Sequence, residues 1–354
     1  MHGDAVLLRT IGFALVAAVC FDIFHTIIVP RPTLNRARIA PVLVGTVMWI
    51  PFKRLVGYLP QRWRTGWLEM FAPVAFVVLL MVWLTLMVGG FSLVILSLGQ
   101  YVQPPVNQFS EAFYFAGTSV LTLGFGDVVA TDWSVRMVVL LAALLGLITM
   151  ALVVSLLFSI LSYLQQREQV VNTLMSRAGL PPSGVVLLMR YSELGIIASL
   201  STSFVTWESW LASILESHRV FPLLMYFRSS SMNNSWLATA GATLDAANLL
   251  LTSIEDHSIG EADLYYWMGV NALKAVAEAF RIEPVDSISI DRAELADALS
   301  LLKDAGYKTK DLDKIWPYFS ARRSGYIRHL IPLAQHFESP VHSWIPVFGQ
   351  KGAR

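Results

Sequence analysis

Apolar residues are unevenly spread along this 354-residue chain. Up to about residue 163 they form long unbroken runs, and beyond about 170 apolar and polar positions alternate with the spacing of amphipathic helices. The pattern predicts a membrane part over roughly 1–163 and a helical, water-facing part over roughly 170–340. A helix needs ~20 apolar residues to cross ~30 Å of hydrocarbon. Residues 5–29, 72–98 and 133–163 meet that demand, and 72–98 carries no charge. At 1.5 Å per residue, 133–163 makes a helix about 46 Å long, which should project beyond the bilayer. The run 5–29 has the look of a cleaved leader around "VAAVC". Val19 stands where a small residue is expected before Cys20, and the apolar run continues past it, so an uncleaved helix is expected.

The stretch 39–52 is mostly apolar but short for a crossing. Around it stand Arg31, Arg36, Arg38, Lys53, Arg54, Arg62 and Arg64, and positive charge favours the cytoplasmic side. The expectation is a helix lying on the inner membrane surface, three spans, an outer N-terminus and an inner C-terminus. The alternative is a fourth span over 39–59 with the N-terminus inside. Trp49, Trp63, Trp67 and Trp133 read as interface anchors.

Between the last two spans the chain reads "FSEAFYFAGTSVLTLGFGD". Residues 109–120 suit a short amphipathic helix, with Ser110 as N-cap and Glu111 in its first turn. The two glycines of "TLGFGD" end it. Alternating glycines permit backbone angles closed to other residues, so successive carbonyls can turn to one side. Non-helical backbone at membrane depth needs protein or a watery path beside it. A ring of carbonyls can replace the water around a dehydrated cation, with the Thr122 hydroxyl adding one more oxygen.

Here the chain resembles the potassium-channel pore family, whose filter reads Thr-Val-Gly-Tyr-Gly-Asp. The corresponding residues are Thr122, Leu123, Gly124, Phe125, Gly126 and Asp127. Leu123 and Phe125 depart from the commonest pattern; both keep the carbonyls, but Phe125 lacks a hydroxyl that would brace the filter from behind. The resemblance covers roughly residues 72–163. It implies an all-α membrane protein with a tetrameric potassium-channel-like pore of outer helix, pore helix, filter and inner helix. It further implies K⁺ coordination by Thr122, Leu123, Gly124 and Phe125, with Gly126 completing the filter and Asp127 supporting it. Tyr114 and Phe115 fall where the family's pore helix carries an aromatic cuff, and Thr118 where some members have a Glu that bonds the filter Asp. Gly146 falls where a hinge glycine is common. Leu147, Met150, Val154 and Phe158 then share one face and are expected to line the cavity and gate. One filter per chain, with no internal repeat, implies a homotetramer.

Composition narrows the picture further. The chain is 55% hydrophobic and 14% charged with net charge +1, which fits a bilayer protein and argues against a nucleic-acid partner. Cys20 is the lone cysteine, so an internal disulfide framework and a multi-cysteine zinc site are excluded. No span carries Lys or Arg at every third position, so a charged voltage sensor is not expected. Asp22 and His25 share a face of the first span, as an interfacial pair bonded to a neighbouring segment or as a pH or gating element.

The second part lacks the G-x-G-x-x-G fingerprint of a nucleotide-binding domain. "GLPPSG" at 179–184 reads as a loop, and 184–195, 203–219, 235–255, 260–281, 291–306 and 321–337 read as helices. Asp263 and Glu278 flank Tyr265, Tyr266 and Trp267, as core packing or as a ligand pocket. His218, His257, His329, His336 and His342 show no metal-ligand spacing, and Glu208 lies off the helical turn of His218. The basic run "ARRSGYIRH" suits a solvated helix face, or a contact with anionic lipid or a neighbouring subunit.

The sequence-based expectation is therefore a potassium-selective channel of the plasma membrane, not an enzyme, with no cofactor besides the permeant K⁺. Residues 1–71 would form a transmembrane helix and an interfacial helix, 72–163 the pore domain, and 164–354 a helical cytoplasmic domain open to an unknown regulatory ligand. The rival readings are a receptor whose pore has lost conduction and a non-selective cation channel.

Overall fold

The computed structural model describes residues 2–28, 39–229, 234–255, 259–286, 290–342 and 344. Arg31, Arg36, Arg38 and His257 lie outside the described residues. The chain divides into two units, Met1–Leu161 and Ser162–Arg354.

In the first unit, α1 (His2–Ile27) packs against the long α4 (Gln61–Leu96). Arg9 Nε donates to Ser97 Oγ at 2.9 Å near one end, and Trp83 Nε1 donates to Asp22 at 2.7 Å near the other, so the two helices are antiparallel. Between these points Gly12 and Gly90 face each other, and a Cβ on either would overlap the other's carbonyl oxygen. Helices in lipid gain little from apolar burial and associate by such close approach.

Helices α2 (Ile39–Pro41) and α3 (Trp49–Gly57) are joined by π-helical turns over Val42–Met48 into one run, Ile39–Gly57. Its first N–H groups need acceptors, and Asp22 of α1 provides them: the carboxylate accepts from Ile39 N at 2.8 Å and Ala40 N at 3.2 Å. Further along, the Trp49 and Phe52 rings meet Phe71 at 4.8 and 4.9 Å. The stretch of α4 from Trp83 down to Phe71 is about 18 Å long, so the run lies lengthwise along α4, antiparallel to it and pointing the same way as α1. A shorter helix flat on the membrane was expected. The Asp22 cap and the Phe71 contact instead hold a 19-residue helix along its neighbour. Among the described residues four helices are long and apolar enough to cross a membrane: α1, the Ile39–Gly57 run, α4 and α6.

The short α5 (Phe109–Val120) packs on α4, and α6 (Trp133–Ala178) runs unbroken for 46 residues, about 69 Å. It continues well past the expected end at 163. Two short strands, β1 (Val102–Gln103) and β2 (Val129–Ala130), pair antiparallel and join the segments before α5 and after the filter stretch.

The second unit holds the end of α6 with α7 (Gly184–Glu193), α8 (Leu200–Val220), α9 (Trp236–Ser253), α10 (Gly260–Ala279), α11 (Arg292–Asp304) and α12 (Leu312–His336). Helix α9 is buried on every side from Trp236 to Leu250, with α7, α10 and α12 packed around it. Most of its side chains are apolar, and the buried Thr239, Thr243, Asp245 and Asn248 among them are hydrogen-bonded. Ser183, Ser235, Asp291 and Asp311 cap α7, α9, α11 and α12. The Asp311 cap starts α12 well before the expected position 321. Pro317, inside α12, disguises that first stretch in the sequence.

His218 is buried in this unit, its Nδ1 against the Ile214 carbonyl at 2.8 Å and its ring 5.2 Å from that of Trp236. Burial, aided by the charge of Arg167 and opposed by the Ile214 bond, lowers its pKa to about 3. Unfolded histidine takes up its proton near pH 6.5. Between these values the folded state binds fewer protons, so stability present above pH 6.5 is lost as pH falls. We expect the thermal transition of the helical unit, followed in the detergent-solubilised full chain, to weaken by ~2 kcal/mol between pH 7 and pH 5. His218→Gln should flatten that slope.

Candidate functional site

The site is built around the end of α5. This helix starts at Phe109, with Gln108 as N-cap in place of the expected Ser110. The Glu111 carboxylate accepts from Asn107 N at 2.8 Å and Gln108 N at 3.1 Å, which satisfies donors the helix leaves bare. At the other end, the Thr118 carbonyl accepts from Leu123 N at 2.8 Å and from Gly124 N at 3.4 Å, and Ser119 O accepts from Thr122 N at 3.0 Å. The N–H groups of the incoming filter stretch are thus spent on α5.

Its carbonyls are left free. Among the described residues no hydrogen bond ends on the carbonyl oxygens of Thr122, Leu123, Gly124, Phe125 or Gly126. Thr122, Gly124 and Gly126 take φ of +56°, +58° and +80°, so every second residue is left-handed. Space does not demand the glycines, since a Cβ at either would meet nothing within 4 Å. The backbone conformation does. From Leu121 to Asp127 every residue is exposed in the single chain.

The expected supports behave differently from one another. The Tyr114 hydroxyl donates to Asp127 Oδ2 at 2.8 Å and ties α5 to the far end of the Thr122–Asp127 stretch. Phe115 is buried in the core of the first unit. The Thr118 hydroxyl turns back to the Phe115 carbonyl at 3.0 Å, so Thr118 supports the stretch through its carbonyl and leaves Asp127 to Tyr114. After Asp127 the chain is fastened by the β1–β2 pair and by Thr131, whose N and Oγ1 both donate to the Tyr101 carbonyl, at 3.0 and 2.8 Å.

Gly146 is buried, and a Cβ there would overlap the carbonyl oxygen of Val120, the last residue of α5. Its missing side chain lets α6 touch the end of α5, from which residues 122–126 lead off. Leu147, Met150, Val154 and Phe158 are all exposed on α6. The sequence offered no sign of the part played by Val120, nor of the Arg9–Ser97 bond, because both contacts join distant positions.

Other candidates are not brought into a site. Asp22 is 2% exposed and bonded to α2 and α4, whereas His25 Nδ1 lies 3.0 Å from the carbonyl of Phe21 on its own helix. Tyr265 and Tyr266 are core residues and Trp267 is exposed. Asp263 pairs with Arg322, whose guanidinium lies over the Tyr266 ring at 4.2 Å, while Glu278 pairs with Lys274 at 3.9 Å. Among the described residues no group of three or more His, Cys, Asp or Glu is arranged to hold a metal ion.

The arrangement is a long helix, a short helix packed on it, a stretch of unbonded carbonyls and a second long helix. In agreement with it, residues 75–163 match the family model described as "Ion channel". A curated relative, the "Uncharacterized membrane protein YdjJ" of Bacillus subtilis (strain 168), is 25% identical over 184 residues, 51% of this chain and 53% of the relative. The chain thus spans about half the length of that relative. No solved structure matches.

The contact at Gly146 leads to a direct test. Gly146→Ala should push the Val120 carbonyl aside, reduce ion flux in proteoliposomes at least tenfold and lower stability by ~1–3 kcal/mol. Gly89→Ala, at a glycine with open space around it, should leave both unchanged. Tyr114→Phe deletes the hydrogen bond to Asp127. It should lower the thermal midpoint of the first unit while leaving that of the helical unit unchanged.

Proposed function

We propose that the protein is a homotetrameric, potassium-selective channel. The observation that carries this reading is the row of unbonded carbonyls from Thr122 to Gly126 on backbone whose handedness alternates. Peptide oxygens that neither protein nor lipid satisfies must face water or an ion. Four copies around an axis supply rings of them, with Thr122, Leu123, Gly124 and Phe125 holding dehydrated K⁺ and Asp127, fixed by Tyr114, bracing the outer mouth. Leu147, Met150, Val154 and Phe158 then line the inner cavity, and α6 gates it.

The membrane arrangement follows from the helix directions. Successive crossings alternate in direction, but α1 and the Ile39–Gly57 run point the same way along α4. We therefore read three full crossings, by α1, α4 and α6, with Ile39–Gly57 entering only the inner half of the bilayer. Lys53, Arg54, Arg62 and Arg64 cluster where that helix turns into α4, which favours the cytoplasmic side of a plasma membrane for this turn and for the helical unit.

Purified protein in planar bilayers with K⁺ on one side and Na⁺ on the other tests the proposal. A reversal potential close to the K⁺ equilibrium value is expected, and Gly124→Asp should abolish the current. A reversal potential near zero would make the pore a non-selective cation channel. Absence of any current sensitive to Gly124→Asp would leave a membrane receptor without conduction.

A further inference from the structure

Beyond α12 the described residues 337–342 and 344 stay on the helical unit. Glu338 takes a φ of +53° and reverses the path, and Ser339 N donates to the Ala334 carbonyl at 2.9 Å. The segment then crosses the start of three helices. The Pro340 carbonyl accepts from Ser235 Oγ at 2.8 Å, and the Trp344 carbonyl accepts from Ser183 Oγ at 2.9 Å. Both serines are N-caps that also accept from their own helices. The Trp344 indole donates to the Glu294 carbonyl at 3.2 Å, and its ring lies 5.0 Å from the Arg323 guanidinium.

Between these contacts one side chain enters the core. His342, with a side chain only 3% exposed, inserts over Gly241 of the central helix, where any Cβ would overlap its ring. Its Nε2 lies 2.7 Å from Asp245 Oδ2. The other oxygen, Oδ1, accepts from Arg323 Nε at 3.0 Å and from the Tyr326 hydroxyl. Among the described residues Nδ1 of His342 has no partner, and the carboxylate can only accept, so Nε2 carries the proton between them. Asp245 is fully buried. Burial alone would raise its pKa, but Arg323 and His342 hold it down to about 2, so the carboxylate stays ionised.

Two features make this insertion separable from the fold. Asp245 keeps a charged partner and a hydroxyl donor on Oδ1 when the histidine withdraws. The slot itself depends on the absence of one side chain, that of Gly241. We propose that the segment Ser339–His342 with Trp344 is a self-docked strap, held by insertion of His342, and that its release opens on α9 a slot that accepts an imidazole-type hydrogen-bond donor. The helical unit then has a strapped and an open state, independent of whether the pore conducts.

The test uses the full chain in detergent micelles. Hydrogen exchange is read on peptides covering 338–344 and on peptides from α9, in wild type, His342→Ala and Gly241→Ala. Both variants should raise exchange of the strap at least tenfold and leave the α9 core protected. Free imidazole at millimolar concentration should raise the thermal midpoint of His342→Ala by several degrees. It should not do so for wild type, whose slot is filled, or for Gly241→Ala, whose slot holds a methyl group. Strap exchange unchanged in both variants would overturn the proposal. So would an imidazole response equal in all three proteins. Should His342→Ala fail to fold, Gly241→Ala with a fully protected strap overturns it as well.

Discussion

A peptide group inside a bilayer has no water to fall back on, so each carbonyl must find a donor or a wet surface. The helices of the first unit obey this internally. Residues 122–126 do not: their first N–H groups are taken by the end of α5, and their carbonyls carry no bond. Much of the first unit can be understood as the means of holding that stretch in place. Helix α5 anchors its start through the carbonyls of Thr118 and Ser119, Tyr114 anchors Asp127, and the two-residue ladder with Thr131 fixes the return. The stretch 122–126 is supported at both ends, and its carbonyls are left unbonded among the described residues.

The same unit shows how small residues and a buried acid replace hydrophobic burial as organisers in lipid. Gly12 with Gly90, and Gly146 with Val120, are places where backbones come close enough for a Cβ to be excluded. Asp22 acts differently. Its two oxygens accept from α4 and from the start of the Ile39–Gly57 run, joining three helical elements through one carboxylate. A buried acid is tolerable there because every donor it meets is an N–H group already in need of an acceptor.

The helical unit carries its polar centre on its most buried helix. Thr239, Thr243, Asp245 and Asn248 of α9 are fully buried, and each has a hydrogen bond. Asp245 with Arg323 is the one ion pair among the described residues in which neither side chain is more than 7% exposed and both partners carry permanent charge outside a sequence-adjacent pair. Removing one partner of such a pair leaves an uncompensated buried charge. The pair therefore specifies how α12 sits on α9 more sharply than apolar packing would.

Periodicity and turn chemistry made the elements legible. The apolar runs marked α1, α4 and α6, the alternation beyond 170 marked the helical bundle, and the Gly-x-Gly stretch marked the end of α5 and the left-handed backbone after it, because each signal lies within a few residues of chain. What joins distant residues was hidden. Nothing near Gly146 tells that it abuts Val120, and nothing near Tyr114 tells that its hydroxyl reaches Asp127. The length and course of the Ile39–Gly57 helix depended on a cap from Asp22 and a contact with Phe71. Local spacing fixes which backbone a segment prefers, since those forces act between neighbours. Which oxygen, ring or proton meets it from elsewhere is decided only when the chain packs.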